Sequence, residues 1–336
     1  VRMEDTVARL GGDEFVILLS GLEGDMSRVT ELVYRLADGF RSLLAEPMLI
    51  DGHRLQVTPS IGMALIPDHG QTPADLLKRA DIALYRAKDL GRDTVQMFDA
   101  SMQEVASERL RLESDLRLAL QRSEFELYFQ PQVDALTNQI IGAEALLRWN
   151  HPVLGAQSPA RFIHILEESG LILEVGSWVL NEACASCVAL IEEGLITPEN
   201  FSLCVNISPR QFRQKDFVQR VENCLRQSSL PLLKLEITEG IVIQNIEDAI
   251  AKMNKLKALG ISFAMDDFGT GYSSLTYLKK LPVDVIKIDK SFIQDSTSDP
   301  NDAEIIRAII AMAHSLELTL IAEGVEEDAQ VRYLRS

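Results

Sequence analysis

Apolar residues along this chain change their period several times, and each change predicts an element. Residues 7–10 and 15–19, "VARL" and "FVILL", flank a Gly-Gly pair and predict a β-hairpin. From about 26 to 45, Val29, Leu32, Val33, Leu36 and Phe40 recur on one face of a helix. A strand-like run, "LQVTPSIGMALI", precedes a helix, "PADLLKRADIALYRAKDLG", with Gly91 placed as its C-terminal stop. Residues 100–123 are charged and carry Leu112, Leu116 and Leu120 four apart, which predicts a linker helix. From residue 125 onward β-rich apolar runs repeat: "FELYFQPQV", "IIGAEALLRW", "FSLCVNIS", "LKLEITE", "ISFAMDD", "DVIKID" and "LTLIAEG". Helical segments separate most of them, so the expectation is a parallel sheet in a (β/α)8 barrel. Seven strands precede Ser336, so a modified barrel without its last strand is expected. The division expected is a partial α/β domain at 1–98, a linker helix at 99–123 and the barrel at 124–336.

Composition narrows the function classes. A length of 336 residues favours two domains, and 46% hydrophobic residues suffice for a sizeable core. The net charge of −17 repels a polyphosphate backbone, which excludes general nucleic-acid binding but leaves room for phosphates bridged by metal ions. No run of ~18 or more apolar residues is read, so no membrane contact is expected. The chain starts at Val1 without a signal peptide; an upstream region, even a membrane anchor, can precede it. Cys184 and Cys187 form a C-x-x-C inside a helical pattern, without a second pair or nearby histidine. A reduced, partly buried pair in a cytoplasmic protein is the expectation.

The chemistry lies at the expected strand ends, where barrels of this class place it. Glu144, Asn206, Glu236, Glu239, Asp266, Asp267, Lys287 and Glu323 all fall there. Carboxylates crowd so closely only when cations neutralise them. Oxygen donors without a His/Cys cluster favour Mg²⁺ or Mn²⁺ over zinc. The set has material for two ions sharing one bridging Asp, an arrangement suited to in-line displacement at phosphorus. Lys287 then orients or deprotonates the water, or balances phosphate charge. Carbon–carbon or sugar chemistry in a barrel stays open at this point.

The motifs carry a resemblance. "GAEALLRW", "YFQPQVD", "VNIS", "LEITE", "DDFGTGYSSL", "IKIDKSF" and "AEGVE" together resemble, in order, the EAL domain of cyclic di-GMP phosphodiesterases over roughly residues 120–336. The resemblance implies a modified TIM barrel that hydrolyses cyclic di-GMP to linear pGpG with two Mg²⁺ or Mn²⁺ ions, and a homodimer through this domain. It implies Glu144, Asn206, Glu236 and Asp266 as ligands of a first ion, and Asp266, Asp267 and Glu323 of a second. Lys287 matches the lysine at the nucleophilic water, with Glu144 and Glu326 in the same catalytic group. Gln130, Leu146, Arg148 and Asp267 match substrate-binding positions, and Glu239 the anchor of the loop that starts at Asp267 and includes Gly269 and Gly271. His164 stands where that family commonly has proline, and is expected as a surface variation at a helix start.

"ARLGGDEFVILL", with "VTPSIGMAL" and "ALYRAKDLGRD", resembles the GGDEF domain of diguanylate cyclases. Gly11, Gly12, Asp13, Glu14 and Phe15 are its signature. Lys88 and Arg92 match GTP-phosphate contacts, and Arg2 with Asp5 the product-binding inhibitory pair. The strand that supplies a second metal Asp and the guanine contacts lies before this chain's start, so the stretch itself is expected to make no cyclic di-GMP. The readings carried forward are a phosphodiesterase with a regulatory GGDEF domain, a non-catalytic cyclic di-GMP receptor, and a bifunctional parent that also makes the dinucleotide from GTP.

Overall fold

The computed structural model describes residues 4–198, 200–228, 233–243, 245–269, 278–296 and 298–335. The chain divides into two compact units, Val1–Arg111 and Leu112–Ser336.

In the first unit, β1 (Thr6–Gly11) and β2 (Glu14–Leu18) form the expected antiparallel hairpin. Helix α1 (Met26–Ala45) follows, capped by Asp25, whose carboxylate accepts from Arg28 N at 3.0 Å. A second hairpin joins β3 (Met48–Ile50) to β4 (His53–Leu55). Strand β5 (Ile61–Met63) pairs in parallel with β6 (Val95–Met97), and α2 (Pro73–Asp89) makes the crossover. Thr72 caps α2, Pro73 opens it, and Arg86 and Lys88 lie in its last turn. The run expected as one strand over 55–66 is interrupted, because Pro59 has no N–H to give a ladder. Val33, Ala37, Met63, Leu65 and Val95 form the unit's core. Gly62 lets β5 press on α2: a Cβ there would lie 2.1 Å from Ala80 O and 2.2 Å from Leu84 N.

The second unit begins in the last turns of α3 (Ala100–Ala119), where Leu112, Leu116 and Ala119 are buried. Strands β7 (Phe125–Val133) and β8 (Ile140–His151) come next, with β9 (Gly155–Gln157) folded back antiparallel on the end of β8. Then follow α4 (Pro159–Ser169), α5 (Ile172–Glu192), β10 (Ser202–Asn206), α6 (Pro209–Phe212), α7 (Phe217–Ser228) and β11 (Leu233–Thr238). The chain continues through α8 (Glu239–Ile243), α9 (Ile246–Lys257), β12 (Ser262–Phe268) and β13 (Val285–Ile288). It ends in α10 (Lys290–Gln294), α11 (Pro300–Ser315), β14 (Thr319–Ala322) and α12 (Asp328–Leu334). All seven expected strands join one sheet in the order β14-β13-β12-β11-β10-β8-β7. From β8 to β14 the sheet is parallel, a TIM-type arrangement.

Two expectations are corrected, the direction of β7 and the place of His164. Strand β7 is antiparallel to β8, because the connection Asp134–Gln139 is far shorter than the dozen or more residues a parallel crossover needs. Helix α5 is long and apolar enough to meet a membrane-span criterion, with mean hydropathy 1.2 over its best window. Its apolarity serves the core instead: Ile172, Val175, Val179, Leu180 and Ala183 are all buried. Cys184 and Cys187 are buried thiols on the same helix, and Cys184 Sγ lies 3.1 Å from Cys224 Sγ on α7. Burial pushes the Cys187 thiol up to about 11, the behaviour of a structural cysteine. His164 sits in the middle of α4 rather than at its start, exposed and 3.2 Å from Glu168.

The close approach at β5 sets a stability test. Gly62→Ala is expected to lower the first unit's melting temperature, overpacking costing about 1–3 kcal/mol. Gly39→Ala, in α1 with nothing within 4 Å of the added Cβ, is expected to gain up to about 1 kcal/mol. Thermal unfolding of both variants checks the pair.

Candidate active site at the C-terminal ends of the strands

Strand alternation assembles the site. Along β8, Glu144, Leu146 and Arg148 share one face, while Ala143, Ala145 and Trp149 turn to the buried one. Across the hairpin, Gln130 pairs with Glu144, Tyr128 with Leu146, and Glu126 with Arg148. The parallel register brings Asn206 of β10 beside Glu236 of β11. Asn206 Nδ2 donates to Glu144 Oε1 at 2.7 Å, which fixes the amide with its nitrogen toward the glutamate.

Lys287 occupies the centre. Its side chain is 1% exposed, and its ammonium lies 2.6 Å from Glu236 Oε2, 2.6 Å from Glu323 Oε1, 3.0 Å from Asp266 Oδ1 and 3.2 Å from Glu144 Oε2. Burial alone would strip the proton from such a lysine. The four carboxylates, Glu236 foremost, outweigh it and hold its pKa above the ordinary lysine value. Four acids facing one ammonium remain in charge excess. Burial, with the charges of Glu144 and Asp266, pushes Glu236 up to about 7 against the opposing pull of Lys287. Burial likewise raises Glu323.

A β-bulge supplies the fifth acid. Met265 pairs with Ile286 and Phe268 with Ile288, so Asp266 and Asp267 together oppose the single residue Lys287. Asp267 takes φ +52°, the left-handed region that aspartate tolerates better than most residues. Consecutive strand residues normally point to opposite faces. Here one carboxylate oxygen each from Asp266, Asp267 and Glu323 lies within 4.8 Å of the others. Burial raises the Asp267 pKa, and the charges of Asp266 and Asp289 add to it. Just beyond the bulge, Glu239 Oε1 accepts from Gly269 N at 3.3 Å, so the glutamate holds the start of the following loop. Gly271 lies outside the described residues.

These residues fit divalent cations. The donors are carboxylate and amide oxygens, and Glu236 Oε1 is a buried acceptor open to a cation. Glu144, Glu236, Asp266 and Glu323 all face Lys287, Asn206 is tied to Glu144, and oxygens of Asp266, Asp267 and Glu323 gather within 4.8 Å of one another.

The remaining candidates are more dispersed. Arg148 stacks 5.3 Å from the Tyr128 ring centroid and donates to Leu147 O at 3.0 Å, half-buried on the face that leads away from Glu144. Glu326 is exposed on the loop after β14, and among the described residues no ion pair joins its carboxylate to Lys287. In the first unit, Gly11 pairs with Glu14 and Gly12 takes φ +53°, leaving Asp13, Glu14 and Phe15 exposed at the hairpin tip. Arg9 braces that turn through two bonds to Gly12 O at 2.9 and 2.6 Å. Lys88 and Arg92 are exposed at the end of α2, on a different element. Asp5 accepts from Ser20 N at 3.2 Å, and Arg2 lies outside the described residues. Two contributors went unread in the sequence: Tyr128, the platform for Arg148, and Asp289, the cap of α10 that faces Asp267. The Asp-x-Ser pattern of an N-cap was the available signal for Asp289.

Residues 113–336 match the EAL domain family, and residues 1–94 match the diguanylate cyclase, GGDEF domain family. The chain is a GGDEF–EAL protein. Among curated relatives of such tandems, a bifunctional diguanylate cyclase/cyclic di-GMP phosphodiesterase, MucR of Pseudomonas aeruginosa, is 42% identical over 338 residues, covering 99% of this chain and 48% of MucR. The cyclic di-GMP phosphodiesterase NbdA of the same organism is 38% identical over 337 residues, covering 100% of this chain and 42% of NbdA. The GGDEF–EAL chain thus spans about half the length of the curated relatives it matches. Among solved structures, the PaMucR phosphodiesterase in complex with c-di-GMP superposes with a TM-score of 0.64 at 41% identity, covering 67% of this chain and 91% of that one.

The charge excess of the EAL cluster predicts a pH response. Glu236, Glu323 and Asp267 all have raised folded-state pKa values, so the folded protein holds protons that the unfolded chain releases. The contribution of these three carboxyls to stability is then full below the ordinary carboxyl range, falls as pH rises from about 4.5, and levels off past about 7, where Glu236 titrates. In EDTA the melting temperature is expected to drop across this window, and Glu236→Gln to flatten the drop. Lys287→Met, which leaves the acids unneutralised, is expected to cost about 3–5 kcal/mol in EDTA at pH 8. A melting temperature unchanged from pH 5 to 8 would count against the assignment.

Proposed function

We propose that the EAL unit hydrolyses cyclic di-GMP to linear pGpG using Mg²⁺ or Mn²⁺. The observation that carries this reading is the buried Lys287 ammonium, ringed by Glu144, Glu236, Asp266 and Glu323, with Asp267 brought alongside by the bulge. The names of MucR and NbdA, and the c-di-GMP complex of the MucR phosphodiesterase, point to the same substrate.

In the proposed reaction a water oxygen bonds to one phosphorus and the bond from that phosphorus to the 3′ oxygen breaks. The water's protons are released to the departing 3′ oxygen and to solvent. Divalent cations, when bound, supply Lewis-acid charge for water and phosphate. Glu144, Asn206, Glu236, Asp266, Asp267 and Glu323 would hold them. The chain's own part is positioning. Lys287, locked as an ammonium, is a hydrogen-bond donor toward the attacking water or the phosphate rather than a base. Asn206 holds Glu144 in place. Arg148, with its guanidinium oriented on Tyr128, is placed to fork onto a phosphate of the substrate. Gln130 and Leu146 lie on the same face and line the dinucleotide's path. Glu326, exposed on the loop after β14, would complete this group. A cytoplasmic setting and an EAL homodimer belong to the same proposal.

A second reading concerns the whole protein. The intact signature hairpin, with Asp13 and Glu14 exposed at its tip, suits phosphate and metal chemistry. The bifunctional name of MucR favours a parent that also makes cyclic di-GMP from GTP.

Purified protein incubated with cyclic di-GMP and Mg²⁺ or Mn²⁺ is expected to release pGpG, read by chromatography. Glu144→Ala is expected to lower turnover at least 100-fold, as loss of a transition-state contact worth about 3 kcal/mol or more does. Arg148→Ala is expected to raise KM more than it lowers kcat. Tight cyclic di-GMP binding with no pGpG from the unaltered protein would replace the enzyme by a receptor.

A further inference from the structure

The acids that follow β14 differ from the others in how they are supported. Glu144, Asn206, Glu236 and Asp266 sit on paired strands. Glu323 and Glu326 lie between the end of β14 at Ala322 and the start of α12 at Asp328, where no strand ladder or helix fixes the backbone. Glu323 N still donates to Ile288 O at 3.1 Å. Gly324 then turns through φ +67°, so close to Lys290 that a Cβ would lie 2.7 Å from the lysine Cβ. Past that point Val325 packs against the core, and the Glu326 and Glu327 N–H groups are held by one side chain.

Gln330 is 4% exposed and uses both ends of its amide. Its Oε1 accepts from Glu326 N at 2.8 Å and from Glu327 N at 2.9 Å. Its Nε2 donates to Ile293 O at 3.2 Å, on α10. Helix α10 begins at Lys290, three residues after Lys287, so one amide links the acid loop to the segment that follows the central lysine. A glutamine at the third position of a helix commonly reaches back to the capping residue alone. Here it bonds a second loop N–H and a carbonyl of another element, which capping α12 does not require.

We infer that Gln330 is a positioning residue: its amide sets the place of Glu323 and Glu326 relative to Lys287, and with it the affinity of the site for its divalent cation. The inference rests on the proposed reading of Glu323 as a cation ligand. Partners of ligands typically change metal affinity about 10–100-fold when removed. Gln330→Met keeps the volume and removes all three bonds. Gln330→Glu keeps two acceptor oxygens for the loop N–H groups but sets an oxygen against Ile293 O. Glu327→Ala removes the cap of α12 and leaves the Gln330 amide its three bonds.

The test titrates Mg²⁺ and Mn²⁺ against the melting temperature of the whole protein without nucleotide, then measures kcat and KM for cyclic di-GMP. Gln330→Met is expected to raise the Mg²⁺ midpoint about tenfold or more, with kcat recovering at high Mg²⁺. Gln330→Glu is expected to fall between it and the unaltered protein, and it carries the test if the Met variant does not fold. Glu327→Ala is expected to lower the melting temperature in EDTA without moving the midpoint. Gln330 variants that lose stability in EDTA but keep the unaltered midpoint overturn the inference and leave the proposed reaction intact. A normal midpoint series without pGpG overturns the reaction and leaves the positioning role intact. A melting temperature indifferent to both cations overturns the two together.

Discussion

A single ammonium buried among carboxylates is the constraint on which the second unit turns. Lys287 sits on β13 between Ile286 and Ile288, both essentially inaccessible, in a strand that is otherwise apolar. Removing such a charge from water costs several kcal/mol before any partner is counted. The acids that offset this cost come from four other strands or their ends: Glu144 from β8, Glu236 from β11, Asp266 from β12 and Glu323 from beyond β14. The parallel register, the order of the strands and the placing of their carboxyl ends are therefore all tied to one nitrogen. A shift of one strand by one residue would turn its acid to the helical side.

The hairpin at the head of the barrel has a different part. By running antiparallel, β7 sets Gln130 and Tyr128 directly across from Glu144 and Leu146. One continuous face then passes from the acid cluster to Arg148. The opposite face of the same two strands carries Phe125 and Trp149, packed with Phe162. Strand parity alone separates the face bearing Arg148 and Glu144 from the aromatic core, in a protein whose overall charge is −17.

Much of this architecture was legible in the sequence, for reasons that differ between elements. Buried parallel strands are short apolar runs, so β8 and β10 to β14 stood out, as did β7, the Gly11-Gly12 hairpin and α1 over Met26–Ala45. The direction of β7 is not written in its hydrophobic pattern; it follows from the length of the Asp134–Gln139 connection. The three-residue β9 is too short to leave a pattern. Helix α5 does not stand out as a long apolar segment, because scattered glutamates break its run, although its mean hydropathy reaches 1.2. At the site, the residue types were readable at strand ends, but their distances from Lys287 depend on contacts across 51 and 143 positions of chain, which no local pattern encodes. The exposed position of Glu326 and the two-ended bonding of Gln330 belong to the same class.

The bulge at Asp266–Asp267 places the sheet and the site in competition. Deleting either aspartate would let β12 run on in even register with β13, closing every rung of the ladder and freeing a residue from left-handed backbone. The sheet would gain regularity, and the mouth would lose one of its charges. The doublet therefore sets two carboxylates at one rung, opposite Lys287, where a regular strand would set one.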